Sequence, residues 1–272
     1  MIDDANPDRD GPNEPVSGTG RPLGPVPIAV IAGGLLTGAV IMFVGLPAGW
    51  RVFGTPAPVL TVVLALFAAL SGVSVAGAHV RRASWRIVDI VIASVLGVVG
   101  GFYFWVLGVN WEVLSKTLTV TAPPSAGLLC GLWVVPAVLG ALVIRKPGAA
   151  VYVELVAAVL EALMGDQWGF ATVYFGLIQG LGAEFVLALL FYRSFSLVPA
   201  LLSGAGAGLA VGVLETAAYY PEFPGTLQAG YIGFAVLSGV VLAGAGAWSL
   251  TRVLAETGAL APLASGRSAE RV

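Results

Sequence analysis

Apolar residues in this chain come in long, nearly unbroken runs, not in the i, i+3, i+4 spacing of a helix lying on a soluble core. Eight such runs cover approximately 27–46, 57–79, 87–109, 125–145, 148–164, 169–192, 197–218 and 228–251. Each is near the roughly 20 residues that a helix needs to cross a bilayer. Breakers separate most of them: Pro47 with Gly49, Pro123-Pro124, Pro147-Gly148, Gly165-Asp166, and Pro221 with Pro224-Gly225. Membrane-spanning strands would alternate in segments of about ten residues, and these runs are too long and too uniform. The pattern predicts an all-α polytopic membrane protein of eight helices.

Composition agrees. Of 272 residues 58% are hydrophobic and only 10% charged, against roughly 25% charged in a soluble domain. The net charge of -2 gives no basic patch for nucleic acid. One Cys and one His leave no metal cluster to assemble. Residues 1–25, in which Asp3, Asp4, Asp8, Asp10 and Glu14 alternate with prolines, predict a disordered acidic tail. Residues 255–272 predict a second loose tail. Eleven of the thirteen Lys and Arg fall on one side of an eight-helix topology, and only Arg51 and Lys116 on the other. The positive-inside rule then predicts a multi-pass cell-membrane protein with both termini cytoplasmic. The outer loops, Gly108–Pro124, Gly165–Trp168 and Tyr219–Leu227, are aromatic and acidic.

An ionisable group inside a spanning segment costs roughly 2.5–3.5 kcal/mol on insertion scales, so each needs a reason. Asp89 lies within a turn of Arg86 and predicts an interfacial ion pair. Glu184, deep in the sixth run, predicts a structural hydrogen bond. Glu154 and Glu161 are seven apart and share a helix face, about 10 Å apart along the axis. Glu161 and Glu215 each sit about one turn below an outer loop. With Trp111, Trp168, Tyr103, Trp105, Tyr174, Tyr219 and Tyr220 nearby they suggest a pocket for an organic cation, because an aromatic face attracts a cation and a carboxylate supplies charge. The same aromatics also fit an interfacial belt. Gln179, in a stripe with Thr172, Gly176 and Ala183, reads as packing seam or as a group facing a cavity. Ala93, Gly97 and Gly101 form a small-residue face that admits close helix approach. Cys130 reads as an inert packing residue. The chain has no Gly-x-x-x-x-Gly-Lys-Ser/Thr loop and no Gly-x-Ser-x-Gly elbow, so no enzyme, cofactor or metal is expected.

Certain fragments carry a resemblance: Trp85-Arg86-Ile87-Val88-Asp89-Ile90, Gly131-Leu132-Trp133, Arg145-Lys146-Pro147-Gly148-Ala149, Gly165-Asp166-Gln167-Trp168-Gly169, and Gln179-Gly180-Leu181-Gly182-Ala183-Glu184. In this order and spacing they resemble the YkoE family, the substrate-binding (S) components of energy-coupling factor (ECF) vitamin transporters. The resemblance spans about 86–254. It implies a six-helix S-component-like bundle there; the acidic tail and the two additional transmembrane helices that the apolar runs predict within 26–80 depart from the family pattern. It also implies thiamine or its hydroxymethylpyrimidine precursor as ligand, with a transmembrane coupling (T) protein and two cytoplasmic ATPase subunits as partners. Ala93, Gly97 and Gly101 would then contact the coupling protein. The substrate-binding expectation rests on Glu161, Glu215, Trp168, Trp111, Tyr103, Tyr174, Gln179 and Tyr219. Two other readings stay open: a secondary transporter using Glu154, Glu161 and Glu184 as a proton or sodium relay, and a ligand-free membrane scaffold.

Overall fold

The structure, a computed structural model, describes residues 32–38, 40, 51–52, 55–81, 84–120 and 122–269. The expected N-terminal tail and much of the first apolar run lie outside the described residues. Within that run 32–38 is helical, and Gly34 and Gly38 bring it against Ala68 and Ala65. A two-residue antiparallel hairpin pairs Arg51–Val52 with Thr55–Pro56. It leads into α1, Ala57–Arg81, which packs on the two helices 171–189 and 197–219.

Helix α2, Ile87–Thr119, is 33 residues long. It begins with a cap in which the Arg86 N–H donates to Asp89 Oδ2 at 2.7 Å. The apolar run predicts an end near 109, but no Gly or Pro lies between Asn110 and Thr119, and Lys116 pairs with Glu112 one turn away at 2.5 Å. At 1.5 Å per residue α2 is about 50 Å long, well beyond a hydrocarbon core of about 30 Å.

The fourth run is not one helix. A 3₁₀ turn, Pro123–Leu129, leads to α3, Cys130–Trp133, and then α4, Val135–Ile144. Val134, at φ -108° and ψ 5°, interrupts the path. Pro136 has no N–H to give the Leu132 carbonyl, and the Tyr103 hydroxyl donates to that carbonyl instead, at 3.1 Å. Helix α5, Ala149–Leu163, is only 15 residues, bounded by left-handed Gly148 (φ 85°) and Gly165 (φ 82°). At about 22 Å it is shorter than the expected span, and it lies inside the bundle against α2, α4 and α6, Ala171–Leu189. After α7, Leu197–Tyr219, the last run is α8, Gly225–Ser238, a π-helical stretch Gly239–Ala245, and α9, Gly246–Glu256. Among the described residues six segments are long and apolar enough to cross a membrane, where the sequence pattern predicted eight.

Two further expectations change. The α2 face of Ala93, Gly97 and Gly101 is not a free surface. A Cβ on Gly97 would lie 2.6 Å from Val156, and one on Gly101 would lie 2.7 Å from Leu160, while Ala93 is wholly buried beside Val143, Ile144 and Ala149. The small residues let α2 and α5 approach each other, so the expected coupling contact is an internal seam. The stretch after Glu256 is docked where a loose tail was expected. Leu260 and Leu263 are buried beneath α4 and α5, Ser265 donates to the Val143 carbonyl at 2.8 Å, and Arg86 donates to the Pro262 carbonyl at 3.1 Å. It ends in the short helix α10, Ala264–Ala269.

Candidate functional site

Toward the end of the bundle where α5 meets α6 and α7 meets α8, the helices line a cavity of about 270 Å³. That is close to the lower end of small-molecule pockets, roughly 300–1,000 Å³. The Gly165–Gly169 loop builds one edge. Asp166 Oδ1 accepts the Trp168 N–H at 2.6 Å and the Gly169 N–H, and its Oδ2 accepts the Thr172 hydroxyl at 2.5 Å. Gly165 and Gly169 both have positive φ, a conformation open to glycine at no steric cost. Gln167 Nε2 donates to the Gly108 carbonyl at 3.2 Å and ties the loop to α2. The loop thereby fixes Trp168 against Trp111 and Trp133, with ring centroids 5.5–5.9 Å apart and interplanar angles of 61–89°.

Glu161 lies within this tryptophan wall. Gly108 and Trp168 flank it, since a Cβ on Gly108 would lie 3.4 Å from Glu161 Oε1 and 3.5 Å from Trp168. Both carboxyl oxygens of Glu161 are buried without a hydrogen-bond partner among the described residues. Such a group is costly to bury unless something binds it. Two turns away, Glu154 faces the first turn of α4, where the Ala137 N–H lies, without a close bond to either oxygen. The helix break at Val134 creates that N-terminus, whose partial positive charge suits a carboxylate.

A second wall comes from α6, α7 and α8. Phe175 stacks on Tyr219 at 5.7 Å, and Tyr220 lies 5.1 Å from Tyr231. Glu215 lines this wall. Its Oε2 accepts the Tyr231 hydroxyl and the Cys130 thiol, the latter at 3.3 Å. Gln179 lines the cavity floor and is 6% exposed.

Of the eight residues expected from sequence, the cavity brings together Glu161, Glu215, Trp168, Trp111, Gln179 and Tyr219. Tyr103 and Tyr174 are not in its lining. Tyr103 is spent on Leu132, and Tyr174 packs toward α1 among Val59, Val63 and Ile178. The sequence reading missed Phe104, Trp133, Phe175 and Tyr231. Trp133 already stood inside a quoted fragment. The others carry no local signal, since one aromatic in an apolar helix looks like any other. Cys130 is also no inert filler, because its thiol reaches Glu215.

The opposite end is basic. Asp89 is 1% exposed, paired with Arg86 at 3.1 Å and Lys146 at 2.5 Å. The hydrogen bond from Arg86 to Asp89 raises the guanidinium pKa above its ordinary value. Trp85 Nε1 donates to the Pro147 carbonyl at 3.0 Å. Glu184 accepts the Gly148 and Ala150 N–H groups at 2.6 and 2.9 Å, capping α5. The quoted fragments thus meet in space: Trp85–Asp89 against Arg145–Ala149, and Glu184 against Gly148.

The chain as a whole is similar to known proteins. Residues 88–210 match the family described as the ABC-type cobalt transport system, permease component. A crystal structure of an S-component of an ECF transporter aligns with a TM-score of 0.62 at 30% identity, over 69% of this chain and 94% of that one. The fold therefore defines a multi-pass membrane protein of the ECF S-component class. YkoE of Bacillus subtilis (strain 168), which carries the name HMP/thiamine permease protein, is 31% identical over 190 residues, 69% of this chain and 94% of that protein. The chain belongs to the YkoE family of S components.

Proposed function

We propose that this chain is the membrane-embedded substrate-binding subunit of an ATP-driven vitamin importer, and that its ligand is thiamine or the hydroxymethylpyrimidine precursor. The observation that carries this reading is Glu161, a buried carboxyl with no partner among the described residues, set in a wall of three tryptophans. A cationic aromatic ligand supplies both the missing counter-charge and a ring to stack. The family description names cobalt, but a divalent ion takes four or more close N, O or S ligands. Among the described residues no group of three or more His, Cys, Asp or Glu gathers. An aromatic cavity with two carboxylates suits an organic cation better.

The partners in this reading are a transmembrane coupling protein and two ATPase subunits, consistent with a chain that carries no phosphate-binding loop of its own. The basic end, with Arg86, Arg145 and Lys146, lies in the cytoplasm with both termini, and the cavity lies toward the outside. In a Cys130→Ser background, a cysteine at exposed Glu222 should label from outside and one at exposed Arg193 from inside; labelling of both from one side overturns this orientation. The function is tested on the purified protein by thermal unfolding with thiamine or hydroxymethylpyrimidine. Either ligand at 100 times its Kd should stabilise by about 2.7 kcal/mol and quench tryptophan fluorescence. Stabilisation by neither would sink the proposal.

A further inference from the structure

Among the described residues the contacts between an arginine and an aromatic ring all lie at the basic end of the bundle, away from the cavity. The Arg193 guanidinium sits 5.6 Å from the centre of the Phe191 ring, Arg145 sits 5.7 Å from Phe195, and Arg252 sits 4.8 Å from Trp248. Arg193 and Arg252 are exposed, while Phe195 and Trp248 pack against the main core. A guanidinium resting on a ring that cannot move keeps a fixed plane, and its fork of N–H groups matches the oxygens of a phosphate.

The turns that carry two of these pairs are strained. Among the described residues three that are not glycine have left-handed φ: Arg145 at 56°, Phe191 at 51° and Tyr192 at 54°. A residue with a Cβ adopts this conformation at a cost, and it persists only where the surroundings enforce it. Here Tyr192 enforces it, 2% exposed within the main core, with its N–H donating to the Leu187 carbonyl at 2.9 Å. Arg145 and Phe191 each belong to an arginine–ring pair, so the placing of those pairs is what the strain maintains.

The surroundings say what fits. Residues 190–202 hold Arg193 and no acid, and residues 142–149 hold Arg145 and Lys146 and no acid. Lys146 is committed to Asp89. Ser194 and Ser196 are exposed beside Arg193, with hydroxyls 3.2 Å apart. Directly beyond them Val198, Leu202 and Leu209 are exposed along α7, at the four- and seven-residue steps that keep to one helix side. Cations and hydroxyls at the rim of an exposed apolar face complement a phosphate with acyl chains below it.

We infer that the surface of Arg145 and Arg193, between the end of α4 and the start of α7, binds an anionic phospholipid of the leaflet at this end. The phosphate lies against the two guanidiniums and the serine hydroxyls, and the acyl chains lie along α7. The Arg252–Trp248 pair on α9 flanks the headgroup. The site requires that the chain spans a bilayer and is independent of which vitamin the cavity takes.

The test is native mass spectrometry of the full-length protein in a neutral detergent, titrated with phosphatidylglycerol or phosphatidylcholine. Phosphatidylglycerol should bind roughly tenfold or more tighter. Arg193→Gln should weaken it roughly 10- to 150-fold, the loss of a charge-assisted contact. Phe191→Leu, which keeps the charge and removes the ring, should weaken it about two- to fivefold. Arg81→Gln removes an exposed charge from the same end of the bundle and should stay within about twofold, since a charge outside the site is screened. If Arg81→Gln weakens binding as much as Arg193→Gln, the attraction is a diffuse field and the site falls. If both lipids bind alike, the surface is left for an acidic protein segment and the lipid assignment falls. Displacement of phosphatidylglycerol by an excess of inorganic phosphate would mark an ordinary anion site and overturn the inference as well. Thermal unfolding without lipid checks that each variant is folded. Should the strained turn not tolerate substitution, Arg252→Gln lies outside it and should weaken phosphatidylglycerol about two- to tenfold; no effect there and none for Arg145→Gln would also overturn the site.

Discussion

The basic end and the aromatic end of this bundle both bury acids, but they treat them in opposite ways. At the basic end Asp89 holds two cations and caps α2, and Glu184 holds two backbone N–H groups at the start of α5. Each removes an unsatisfied group that the fold would otherwise leave. At the aromatic end Glu161 removes nothing and is left unsatisfied itself, and Glu215 has both of its donors on one oxygen. A buried acid with a full set of partners belongs to the fold. One without partners, lining a cavity, is held at a cost that a ligand can repay. The comparison teaches that partner accounting, more than depth in the membrane, separates the two kinds.

The comparison can be broken first where the effect is largest. Glu184→Ala removes two charge-assisted bonds from buried N–H groups and should cost about 3 kcal/mol of stability, read as a lowered thermal midpoint in detergent. Ligand affinity of the protein that remains folded should be unchanged, since Glu184 is not in the cavity. Gly97→Leu should come next. Its side chain would run into Val156 on α5, and overpacking of this kind costs about 1–3 kcal/mol. A variant as stable as wild type would mean that the α2–α5 seam opens enough to take the larger side chain. The smallest effect belongs to Glu161→Gln without ligand: a change within about 1 kcal/mol, because no hydrogen-bond partner among the described residues is lost and the amide keeps the shape of the carboxyl. Should Glu161→Gln destabilise the free protein as much as Glu184→Ala, the contrast between the two ends disappears.

Much of the framework was legible in the chain. Long apolar runs can only be helices in a bilayer, where every backbone group must be satisfied within its own segment. The acids announced themselves because they are expensive there. The ordered fragments pointed to the S-component class, and the structure gives them physical work in the Asp166 loop cap, the Asp89 ion pairs and the Glu184 cap of α5.

Other features needed three dimensions. Periodicity could not tell that Ala93, Gly97 and Gly101 face α5 and not a partner, because a small residue permits close approach by any helix. Nor could it place the break at Val134, which lies in an apolar run and depends on Pro136 two residues later. Residue spacing along one helix says which side chains share a face. Which faces meet is decided by packing among helices that are distant in sequence. Cys130, Glu215 and Tyr231 are 101 residues apart from first to last, yet they join in one hydrogen-bonded group, while Tyr103, close to Trp111 in the chain, is drawn away to the Leu132 carbonyl that Pro136 left open. The sequence by itself determined which acids the membrane must hide; only the tertiary structure decided which of them found partners, and that Glu161, with none among the described residues, lines the cavity.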